Sequence, residues 1–164
     1  YAYYDNFKKK NTNLFNPNPG TTTQPAVVKP ANNIEITSTT YPNKNLTPGD
    51  ILTMDETFLC EPRTLEQLKK EIPDSVKKQV FESYHITYPP TKEYLLDKFI
   101  PLSLGGSDKI TNLWPQAASP TPGYKEKDKV EAYLYKQMCD KKINITTAQE
   151  MIRSDWVKAY REMQ

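Results

Sequence analysis

The sequence predicts an α+β domain preceded by an extended arm, and three observations point that way. The first 45 residues are rich in Asn, Pro, Thr and Lys and hold neither a helical nor a strand period for long. Residues 94–116, YLLDKFIPLSLGGSDKITNLWPQ, read as an apolar strand, a Gly-Gly turn and a polar segment closing on Asn-Leu-Trp-Pro-Gln. The last third carries apolar residues at helical spacing. At 164 residues with 37% hydrophobic content, the chain has room for one core and some further segment.

In the arm, residues 1–45, only NIEITSTTY at 33–41 alternates well enough for an edge strand, and the Thr-Pro-Gly at 47–49 marks entry to a domain spanning 46–164. Tyr1, Tyr3, Tyr4 and Phe7 beside Lys8, Lys9 and Lys10 make an aromatic and basic tip, whose plainest reading is a sticky terminus. From Leu46 onward, ILTMDETFLCEP reads as a short strand ending at Cys60. Thr64 with Gln67 forms a capping box for a helical turn through LEQLKKEI. Pro73 suits the first turn of a second helix, PDSVKKQVFESY, with Val76, Val80 and Phe81 on one face. Beyond the Gly-Gly turn, KEKDKVEAYLYKQMCD stripes Val130, Tyr133, Leu134 and Met138 along one side. The closing helix takes its cap from Thr146 with Gln149 or from Thr147 with Glu150. Its core face is Met151, Ile152, Trp156, Ala159 and Tyr160.

Charge and hydropathy narrow the function classes. Charged residues make up 26% of the chain, and no apolar run approaches the roughly 18 residues a membrane span needs, which predicts a soluble protein with no span. The arm's five lysines against Asp5 and Glu35 carry +3 of a total of +2, so residues 46–164 hold −1. The domain therefore lacks the bulk basicity that drives phosphate binding. Lys125, Lys127 and Lys129 on one predicted helix remain a candidate local phosphate-contacting patch, weighed against a solvated helix face.

The cysteines, Cys60 and Cys139, are far apart and form no CxxC, which argues against redox catalysis and a structural zinc site. The chain begins at Tyr1 without an initiator methionine, which is expected of a processed, secreted or periplasmic protein. In an oxidising compartment the two cysteines would pair, and in a reducing one they would stay as buried thiols. Asn45 and Asn144 lie in NLT and NIT sequons. Gly105 and Gly106 form a turn without the further glycines and Lys-Ser/Thr of a phosphate-binding loop. His85, the one histidine, lies in ESYHITYPP and reads as a surface turn residue, with recruitment as a base as the sharper alternative.

Small metal-dependent nucleases need a cation on the phosphate, a ligand set with an open position and a base near pKa 7 to activate water. The stretch 94–116 holds Asp97 at a strand end, then IPLSLGG, Asp108 and, in the following loop, Asn112. Together with LTPG at 46–49, Cys60 and Pro62, PDSVKKQVFESY, KDKVEAYL, Cys139 and AQEMIRSDWVKAY, it resembles a secreted bacterial subset of the HNH endonucleases, over roughly 115 residues. The resemblance implies a ββα-metal-finger-like core with added helices and a disulfide joining Cys60 to Cys139. It places Asp97 at the family's aspartate before the catalytic histidine, and a divalent metal (Mg, Mn, Zn or Ni) there in an active member. Asn112 falls at the middle asparagine of the motif.

Two parts of that site depart from the pattern. Lys98 stands where the family has its base, and an unperturbed lysine is almost wholly protonated at pH 7. Gly123 falls where the family offers a metal ligand before the helix. Lys98 is expected to pair with Asp97 and to stabilise a metal-free site. These readings make the protein an HNH-like pseudoenzyme that has lost its reaction, needs no cofactor and binds a partner, protein or nucleic acid. The alternatives are an active metal-dependent DNA or RNA endonuclease with a non-standard base, and an interaction module acting through its arm.

Overall fold

A computed structural model of the protein describes residues 40–164, and the expected edge strand at 33–41 lies almost wholly outside them, as does most of the arm. The described chain mixes helix and strand. In order it runs α1 (Glu56–Cys60), α2 (Thr64–Leu68), α3 (Asp74–Ser83), β1 (Tyr94–Lys98), β2 (Leu113–Ala117), α4 (Tyr124–Cys139) and α5 (Ile145–Glu162). Two 3-10 turns, Leu102–Leu104 and Ile110–Asn112, fill the connection between the strands.

β1 and β2 pair antiparallel, with Leu95 opposite Gln116, Asp97 opposite Trp114 and Lys98 opposite Leu113. Directly opposed residues share a face, so Asp97, Trp114, Leu95 and Gln116 lie on one side of the ribbon. Two strands alone are marginal in water and need helices against them. Here the core supplies that cover: Leu59, Phe81, Ile100, Leu104, Trp114, Leu134, Met138, Met151, Ile152 and Trp156 are almost completely buried. No helix among the described residues is long and apolar enough to cross a membrane.

The segment expected as a strand ending at Cys60 is a helix instead. The Asp55 carboxylate accepts from the Phe58 backbone N–H at 2.9 Å and caps α1, and only Ile51 makes an isolated bridge, to Gly106. The expected Thr64 capping box is absent, since Arg63 holds the cap position in a left-handed conformation and Thr64 is buried within α2. α2 ends at Leu68, earlier than the periodicity suggested. Pro73 sits just ahead of α3, whose Val80 and Phe81 are buried.

α4 buries Val130, Leu134 and Met138 as expected, and it buries Lys127 with them. The cap of α5 is Asn144, which accepts from the Thr147 N–H at 2.8 Å, rather than Thr146 or Thr147. α5 is also two helices joined at Asp155, whose backbone is non-helical and whose carboxylate accepts from the Lys158 N–H at 2.8 Å. Tyr41 donates its hydroxyl to Asp155, and Trp156 Nε1 donates to the Thr40 carbonyl at 2.9 Å, so packing begins ahead of Leu46.

A disulfide joins Cys60 at the end of α1 to Cys139 at the end of α4. Tyr135 donates to the Leu59 carbonyl at 3.0 Å beside it, and Glu56 accepts from the Ile145 N–H at 2.7 Å, tying α1 to the start of α5.

Candidate functional site

Three pieces of chain meet at the end of β1. The first is the strand end itself, with Asp97 and Lys98. The second is the loop between the strands, anchored by Asn112. The third is the first two turns of α4.

Asn112 is fully buried and organises the loop. Its Nδ2 donates to the carbonyls of Ile100 at 2.9 Å and Ser107 at 2.8 Å, while its Oδ1 accepts from the Ile100 N–H at 2.9 Å. A weaker contact from the Asp50 N–H reaches the same oxygen at 3.4 Å. One side chain thus closes the loop onto the strand end in both directions, which an aspartate or leucine of the same size could not do. Gly106 belongs to the same arrangement: a Cβ there would meet the Ile100 carbonyl oxygen at 1.8 Å. Asn112 thus braces the turn from within the loop where the sequence placed it.

Lys98 does not pair with Asp97. Its ammonium reaches Asp108 Oδ1 at 3.0 Å, across the loop. The partner of Asp97 is Lys127, whose Nζ lies 2.7 Å from Asp97 Oδ2 and donates to the Lys98 carbonyl at 2.8 Å. Its third bond goes to the Glu131 carboxylate one turn along α4. Alternating side chains along a strand point to opposite faces, so Asp97 turns toward α4 and its neighbour Lys98 cannot follow it there. That geometry rules out the expected Lys98–Asp97 pair and leaves Lys98 to Asp108.

The Lys127 side chain is completely buried, while Asp97 keeps 22% of its side-chain surface and Glu131 18%. Burial alone would pull the Lys127 ammonium down, but the charges of Asp97 and Glu131 outweigh it and hold the group above the ordinary lysine range. Burial pushes the Glu131 carboxyl up to about 7, with Lys127 opposing and Asp97 and Asp128 reinforcing the rise. Asp128, next to Lys127, is raised by burial and by the charge of Asp97.

Lys127 is therefore not a phosphate contact. Of the other two candidates, Lys125 is exposed, and Lys129 is exposed but leans toward Glu126 and over the Tyr160 ring, 5.8 Å from its centroid. Gly123 caps α4 through its N–H, which donates to Glu126 at 2.9 Å. A Cβ at this position would lie 2.5 Å from the Ala118 carbonyl oxygen and 2.7 Å from that of Ala117, so a ligand side chain here requires the backbone to move. His85 is exposed in the turn after α3, at φ 59, with its N–H donating to the Glu82 carbonyl at 2.9 Å.

These residues do not fit a divalent metal as they stand. Asp97 is occupied by an ammonium, position 98 offers an ammonium in place of an imidazole, and position 123 has no side chain. Among the described residues no three or more His, Cys, Asp or Glu side chains gather in a way that could hold a metal ion.

Sequence reasoning missed Lys127 and Glu131 as members of the site. A signal was present: Lys127 falls three residues before Val130 and seven before Leu134, on the buried stripe, and Glu131 is its i+4 neighbour. A lysine on the apolar face of a helix demands acidic partners, and the expected pairing of Asp97 with Lys98 hid the one that Asp97 provides. No family model, curated protein or solved structure matches the chain.

Proposed function

We propose that this is a secreted or periplasmic HNH-endonuclease-like protein that no longer cleaves nucleic acid and acts by binding a partner, protein or nucleic acid. The observation that carries the reading is the exchange of partners at the strand end. Asp97 is held by the buried Lys127, and Lys98, in place of a base, is held by Asp108. The strand end offers neither a free carboxylate for a metal nor an imidazole at position 98, and Glu131, whose carboxyl stands at about 7, is tied to the Lys127 ammonium.

Several features support the ancestry. A strand, a braced loop, an antiparallel strand and a long helix follow one another in the order of a ββα finger, and Asn112 organises the loop as a motif asparagine would. The disulfide supports an oxidising compartment.

The test is incubation of the protein with plasmid DNA and with RNA, in Mg, Mn, Zn or Ni and in chelator. No cleavage above the chelator control is expected. Metal-dependent cutting that Asp97→Ala abolishes would overturn the reading and make the protein an enzyme with a non-standard base.

A further inference from the structure

Lys127 is the only lysine among the described residues whose side chain is fully buried, and its three N–H donors meet three oxygens. These are a strand carboxylate, Asp97, a helix carboxylate, Glu131, and the backbone carbonyl of Lys98. Two carboxylates and a carbonyl form the type of donor set that hard divalent cations take from proteins, with water completing the shell. With both carboxylates ionised, the three side chains sum to −1, and Asp128 adds further negative charge nearby. The set surrounds a cation, and the cation is covalently part of the chain.

We infer that Lys127 is a tethered cation that fills the divalent-ion place at Asp97 and closes it to free metal. The inference rests on the proposed loss of nuclease activity and gives its physical cause. A tethered ammonium competes as an intramolecular ligand at high effective concentration, so a free ion must displace it rather than enter an open site. Lys98 and Asp108, paired with each other across the loop, take no part in this closure.

The inference predicts that the cation place reopens when the tether is removed. The full chain and its Lys127→Ala variant are titrated with Mn2+ by calorimetry and by electron paramagnetic resonance of the bound ion, with melting temperature followed in parallel. The native protein is expected to show no Mn2+ binding that depends on Asp97. The variant is expected to bind one Mn2+ at least about tenfold more tightly than the native chain. Its melting temperature should rise with Mn2+, and adding Asp97→Asn should remove both effects.

Lys127→Ala leaves two half-buried carboxylates facing each other, so folding only in the presence of Mn2+ is a supporting outcome. Lys127→Ala with Glu131→Gln, which carries one half-buried charge fewer, repeats the titration on a less burdened background. If neither variant gains Mn2+ binding, or if the native protein binds stoichiometric Mn2+ at Asp97, the tethered-cation inference is wrong. Cleavage by the native protein in the nuclease assay overturns the functional reading instead, so the two failures are told apart.

Discussion

Glu131 connects the protonation of the cluster to the stability of the fold. Its carboxyl stands at about 7 in the folded chain against an ordinary 4.5, first because of burial and then because Asp97 and Asp128 lie close. A carboxyl raised on folding takes up a proton as the chain folds. Its contribution is fully present below about 4.5 and is lost as pH rises through about 7. Lys127, held above the ordinary lysine range, stays charged throughout that window. Stability is therefore expected to fall between pH 5 and 8 by on the order of 1 to 3 kcal/mol. Glu131→Gln should flatten that part of the profile, as urea unfolding at each pH would show. An equally steep fall in the variant would assign the effect to other groups. At this scale the sequence was legible where a residue is announced by its neighbours, as Asn112 is inside a dense local pattern, while the partner of Asp97 was misread as Lys98. Lys127 was not legible, because a lysine in a run of charges looks solvated until the helix phase is read against Val130 and Leu134.

The elements follow the same division between local and distant causes. β1 and α4 were readable because period and turn chemistry lie within a few residues of each other, whereas β2 read only as the close of a polar segment and becomes a strand by pairing with β1. α1 was misread as a strand because its apolar run is short, and short runs do not distinguish the two periods. Asp55 decided the matter through one capping bond. In α5 the apolar face was readable and the break was not, since the partner of Asp155 lies 114 residues away at Tyr41. Asp155 caps the second half of that helix and receives the tyrosine hydroxyl, and Tyr41 is itself held well above the ordinary tyrosine range by burial and by this bond. Asp155→Ala removes both roles. It is expected to cost about 1 to 2 kcal/mol in chemical denaturation, the scale of a lost helix cap. Asp155→Asn, which keeps an acceptor for the Lys158 N–H, should recover part of that loss. If both variants match the native chain, the break at Asp155 is not what anchors residues 40 and 41.

At the scale of the whole molecule, the Cys60–Cys139 bridge decides how far the described fold depends on its compartment. The pairing spans 79 residues and encloses α2, α3, both strands and most of α4, so the loop carrying the candidate site is closed at its base by one covalent bond. By loop entropy, a closure of that length removes about 4 to 5 kcal/mol of freedom from the unfolded chain. A domain of this size is typically stable by only about 5 to 15 kcal/mol, so the bridge is a large part of the margin. Tyr135 and Glu56 hold the same corner by hydrogen bonds, but bonds of that kind contribute about 1 kcal/mol each and cannot replace it. Reduction, or Cys60→Ser with Cys139→Ser, is thus expected to lower the melting temperature by on the order of 10 °C or more in calorimetry. The Lys127 cluster should loosen with it, because Lys127 and Glu131 reach Asp97 from the helix whose far end the bridge secures. Amide exchange along β1 and the start of α4 would report that coupling. A reduced protein with unchanged melting temperature and unchanged exchange would mean that the packed helices alone hold the site, and would remove the stability argument for an oxidising compartment.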